Sequence, residues 1–94
     1  MQKYKVGEPI IFAYTYGEPN SEGKCRYGNI EFGVISDVEY VESRNSYLYT
    51  IVKESTYREF VPVFIIRHES YIFKTNEVEL CRLKVNECIY GDKI

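Results

Sequence analysis

Apolar and polar positions alternate with period two along most of this chain, the spacing of half-buried β-strands. Ile10, Phe12, Tyr14 and Tyr16 alternate with Ile11, Ala13 and Thr15, which predicts a first strand after a lead-in that turns at Gly7. The segment from Gly17 to Gly23 gathers Pro19, Asn20 and Ser21 and reads as an exposed loop. From Ile30 the pattern places Ile30, Phe32, Val34, Val38 and Tyr40 on one face, with Glu31, Asp37 and Glu39 on the other. This second strand, about Ile30 to Val41, is unusually long, and Gly33 offers a bend or bulge within it. A polar turn around Asn45 then leads to a third strand, with Tyr47, Tyr49 and Ile51 facing away from Leu48, Thr50 and Val52.

The second half is apolar in a different way. Phe60 to Ile66 is hydrophobic on both faces, and Pro62 within it predicts an edge strand or a bulge. Tyr71 to Phe73 follows a turn at Glu69 and Ser70 as a short strand, and Val78 to Val85 supplies another alternation. At most one helical turn is expected, near Thr75 to Glu79, with Thr75 or Asn76 as its cap. The pattern therefore predicts an all-β fold of five to seven antiparallel strands. With 94 residues and no linker-like tract, the chain forms one domain, residues 1–94.

A Gly-led first strand (Val6, Gly7, then Ile10 to Tyr16), a Gly33-Val34-Ile35 strand and a Tyr47-to-Val52 strand follow one another in an order that resembles SH3-like barrels of the Tudor and KOW kind. The similarity covers about Tyr4 to Lys53. It implies a small, partly open barrel that serves as a binding module for peptides, polymerase surfaces or nucleic acids, without choosing among them. The loop from Gly17 to Asn29 and the apolar run from Phe60 depart from the simplest version of that pattern.

The residues do not assemble a reaction centre. His68 is the sole histidine, and Cys25, Cys81 and Cys88 are irregularly spaced, without the closely paired ligands that zinc sites use. No glycine cluster forms a phosphate-binding fingerprint ahead of a helix. The expected protein is thus not an enzyme and needs no metal or other cofactor. Three cysteines without an apolar leader point to a reducing cytoplasm, and no apolar run approaches membrane-spanning length.

Ten Tyr and five Phe without Trp make binding the natural function class, because Tyr covers half-buried surface and keeps a hydroxyl at the rim. The leading expectation is a protein-binding module, a small regulator or inhibitor able to self-associate. Val61, Val63 and Ile65 would form its outward apolar row, together with Tyr47 and Tyr49. On this arrangement Val63→Glu splits an oligomer without unfolding the chain. An acidic row of Glu31, Asp37, Glu39 and Glu42 would meet a basic partner. One alternative is single-stranded nucleic-acid binding through Lys24, Arg26, Tyr27, Arg44, Arg58 and Arg67, opposed by a net charge of −2. Another is sequestration of a small ligand in a Tyr-lined pocket.

Overall fold

The computed structural model describes residues 2–54 and 61–94. It contains β1 (Pro9–Tyr16), β2 (Tyr27–Val41), β3 (Ser46–Glu54), β4 (Pro62–His68), β5 (Ile72–Phe73) and α1 (Val78–Glu87). The five strands form one antiparallel, open sheet in the order β4-β3-β2-β1-β5. Strands β1 to β4 are therefore a meander. A three-residue 3-10 turn, Glu69–Tyr71, leads from β4 at one edge to β5 at the other. So short a connection between opposite edges requires the sheet to curl strongly about its concave face.

That concave face holds the larger core. Tyr4, Ile10, Phe12, Ile35, Tyr49, Ile51, Ile65 and Ile72 are buried together there, with Tyr14, Val38, Tyr47 and Val63 packed at the margin. Each large apolar side chain so buried contributes about 1.5–3 kcal/mol. Tight curvature demands close approach, and Gly33 supplies it: a Cβ at this position would lie 2.3 Å from Ile51 Cγ2. Gly33 is thus a packing glycine, while the register shift expected there falls instead between Ile35 and Asp37.

This bulge at Ser36 reverses the side-chain parity of β2, because one extra residue moves every later side chain to the opposite face. Val34 pairs with Val52 on the convex face, whereas Ile35 pairs with Ile51 in the concave core. Beyond the bulge, Asp37 stands beside Thr50 and Glu39 beside Leu48, both convex, while Val38 packs on the concave core. The uninterrupted alternation from Ile30 to Tyr40 expected above is therefore broken, and Asp37 and Glu39, unlike Glu31, share a face with Phe32 and Val34.

A second core lies on the convex side of β1. Ile11, Ala13, Cys81, Val85 and Ile89 are buried there, bordered by Ile30, Tyr71 and Phe73. The segment expected as a strand or a single turn is the ten-residue α1, which presents Cys81 and Val85, four residues apart, to the sheet. Gly28 admits the helix, since a Cβ there would stand 2.7 Å from Val85 Cγ1. Neither Thr75 nor Asn76 caps α1: the N-cap is Glu77, which makes no capping bond, although its Oε1 accepts from Lys74 N at 2.7 Å. β1 is consequently the strand buried on both faces.

Tyr4 seals one end of the concave core. Its hydroxyl donates to Ile72 O at 2.7 Å, its ring meets Tyr49 edge-on at 5.4 Å, and Tyr49 Oη accepts from Lys3 N at 2.9 Å. Burial, reinforced by Glu77, Tyr49, Glu8 and Glu69, pushes the Tyr4 hydroxyl up to about 12. The fold favours the neutral phenol, so its contribution to stability is complete below pH ~10, where free tyrosine titrates, and is lost as pH rises toward 12. Urea midpoints should fall more steeply between pH 9 and 11.5 for the wild type than for Tyr4→Phe. Parallel slopes would show that Tyr4 is not the group responsible.

Candidate docking face

The convex face beyond α1 is apolar and open to solvent. Phe32 is 71% exposed, Phe64 64%, Ile66 60% and Val34 44%. The register joins them into rungs across three strands: Val34, Val52 and Phe64 in one, then Asp37, Thr50 and Ile66, then Glu39, Leu48 and His68. A shallow groove of about 450 Å³ runs between Pro9, Phe32, Val34, Val52 and Lys53. Helix α1 covers the neighbouring convex positions Ile11 and Ala13 and half-buries Ile30, but leaves this remainder uncovered.

The row expected to form the interface has the opposite parity. Ile65 and Tyr49 are buried in the concave core, and Val63 and Tyr47 pack against it. The outward side chains of β4 are Phe64 and Ile66, and Val61, although exposed, precedes the strand. Val63 paired with Lys53 and Ile65 paired with Ile51 fix this phase. A Glu at Val63 thus perturbs the core margin and is no probe of an outer surface. Phe60, at the head of the apolar run, lies outside the described residues.

The acidic row is split as well. Glu31 accompanies Phe12 on the concave side and pairs with Lys53 at 3.3 Å, with both side chains largely covered. Asp37 and Glu39 are exposed on the convex face, and neither enters an ion pair among the described residues. Glu42 begins the exposed 3-10 turn after β2.

The cationic residues of the nucleic-acid alternative do not converge. Lys24 and Arg26 lie in the loop just before β2 and Tyr27 begins that strand, whereas Arg44 follows its far end. Arg67 is on β4 and donates to its neighbour's carbonyl, Ile66 O, and Arg58 lies outside the described residues. Tyr14, Tyr16 and Tyr27 do stack in sequence, with centroids 5.7 and 5.5 Å apart. The ends of this ladder carry Lys53 over Tyr14 and Arg26 over Tyr27. Neighbouring rings and cations therefore already occupy the aromatic faces that a nucleobase would use. Below the ladder, the loop from Gly17 is pinned to the C-terminal segment by Cys25 N to Cys88 O at 3.0 Å, Tyr90 N to Cys25 O at 2.9 Å, and Tyr90 Oη to Glu18 O at 3.0 Å.

Other polar groups have local duties. His68 Nδ1 accepts from Ser70 N at 3.2 Å and so caps the turn after β4. All three cysteines are free; burial pushes the Cys81 thiol up to about 11 and also raises that of Cys88. A cleft of about 630 Å³ beside Lys3, Lys5 and Lys74 has one of its cations occupied, since Lys74 Nζ lies 2.7 Å from Glu8 Oε2. That hydrogen bond holds the Glu8 carboxyl below its ordinary range. Among the described residues no three His, Cys, Asp or Glu side chains converge as a metal site, and no helix is long and apolar enough to cross a membrane. No family model matches the chain, and neither the curated proteins nor the solved structures yield a match.

Proposed function

We propose that this chain is a non-enzymatic protein-binding module of the SH3-like kind, a small regulator or inhibitor that docks a protein through the convex face of its sheet. The observation that carries this reading is the exposure of Phe32 and Val34 on β2 and of Phe64 and Ile66 on β4, joined through Val52 of the intervening β3. Solitary exposed apolar side chains are ordinary; a contiguous exposed apolar patch is the usual mark of an interaction site. The four-strand meander, the 3-10 turn and the return of β5 beside β1 support the barrel resemblance. Three free thiols fit a reducing compartment such as the cytoplasm.

Quantitative affinity capture with wild type, Phe64→Glu and Tyr16→Ser tests the proposal. The proteins retained by the wild type should persist with Tyr16→Ser and fall at least tenfold with Phe64→Glu. Equal retention by wild type and Phe64→Glu would overturn the assignment of this face.

A further inference from the structure

We infer that the convex face recognises a positively charged amphipathic α-helix of a protein partner, an inference that rests on the docking role proposed above. Three features on this face select that occupant. The rung Val34, Val52 and Phe64 spans three strands. At about 4.8 Å between strands it is roughly 10 Å wide, close to the 10–12 Å diameter of a helix. Phe64 and Ile66 form a second apolar column along the strand direction, so anchors at i, i+3 or i+4 and i+7 of a helix find apolar contacts over more than one turn.

The flank supplies the sign of the charge. The bulge at Ser36 turns Asp37 and Glu39 onto the same face, one and two rungs beyond Val34, and neither is neutralised by an ion pair among the described residues. Lys53, which lines the adjoining groove, is already engaged by Glu31. A helix whose apolar stripe covers Val34, Val52 and Phe64 therefore meets two exposed carboxylates along one side, which favour Lys or Arg there.

A second copy of this chain is a poorer occupant. A two-fold contact through the same face would add a second Asp37 and a second Glu39, whereas Lys53 of that region is already engaged by Glu31. The chain's own helix exposes Leu80 and Leu83, but its charges cancel as Glu79 with Arg82 and Lys84 with Glu87.

The test uses two synthetic 18-residue amphipathic helices, one of Leu and Lys and one of Leu and Glu, titrated against the full chain by fluorescence anisotropy, with absolute mass from light scattering. The Leu/Lys peptide should bind at least tenfold more tightly than the Leu/Glu peptide, with the difference shrinking in 0.5 M salt. Asp37→Lys with Glu39→Lys should abolish the preference. Glu18→Lys with Glu22→Lys, an equal charge change in the loop, should leave it intact. Phe64→Ser, or Ile66→Ser if the first variant is poorly folded, should weaken Leu/Lys binding about tenfold.

Equal weakening by the two charge reversals would overturn the inference, because attraction would then be global. If Phe64→Ser weakens both peptides alike and the preference is absent, the docking face stands and the basic helix falls. If neither serine variant alters binding, both fall. A wild-type dimer that Phe64→Glu splits would assign the face to a second copy and overturn the inference.

Discussion

Ile65→Glu should unfold the protein, whereas Phe64→Glu, one residue earlier, should leave its stability within about 0.5 kcal/mol of the wild type. Ile65 is buried beside Ile51 in the concave core, and a carboxylate placed there has no partner. An uncompensated buried charge costs on the order of 3–5 kcal/mol, set against a total of about 5–15 kcal/mol for a small domain. Phe64 points the other way and is already mostly solvated. Urea denaturation of the two variants decides the matter. Similar losses for both would mean that the phase of β4 is not the one described, and a greater loss for Phe64→Glu would reverse it.

The second large effect is expected on the opposite side of β1. Val85→Asp should release α1 from the sheet, because the new carboxylate would face the apolar side chains of Ile11, Ala13 and Ile89. Cys81 reports the event. While the helix is docked its thiol is buried and titrates near 11, so at pH 8 very little thiolate is present. Release returns it toward an ordinary thiol and should raise its rate of labelling more than tenfold, with loss of helical circular dichroism. Continued protection of Cys81 in a folded Val85→Asp protein would show that the helix does not depend on this contact.

Strand composition carried much of this architecture. β1 and β3 follow the simple alternation of their residues, and Asn45, with φ of 49°, adopts the left-handed conformation that its type tolerates in the turn between β2 and β3. The short β5 also falls where Ile72 and Phe73 suggested. What alternation does not reveal is phase. In β4 both candidate rows are apolar, so only pairing with Lys53 and Ile51 decides that Val63 and Ile65 face inward. In β2 the bulge falls at Ser36 rather than at Gly33, so Val34 and Ile35 keep the phase of the residues before them while Asp37 and Glu39 are turned to the apolar side.

The helix was concealed by composition. Its buried stripe is Cys81 and Val85, continued by Ile89, while Val78, Leu80 and Leu83 remain exposed and imitate a strand-like alternation. With cysteine counted as a small hydrophobe, the four-residue spacing of Cys81, Val85 and Ile89 is the helical signal that this alternation masks. The docking face was therefore legible as an excess of apolar residues around β4, and the acidic residues were legible individually. Their placement on one surface depends on a single bulged residue, which no local pattern marks.

The convex face is the centre of this account, and its most direct test is methyl NMR in the presence of a soluble paramagnetic agent. Strong broadening is predicted for the Ile66 and Val34 methyls, and protection for Ile35, Ile51 and Ile65. Protection of Ile66 with broadening of Ile65 would contradict it, because the apolar row of β4 would then belong to the core and no docking face would remain.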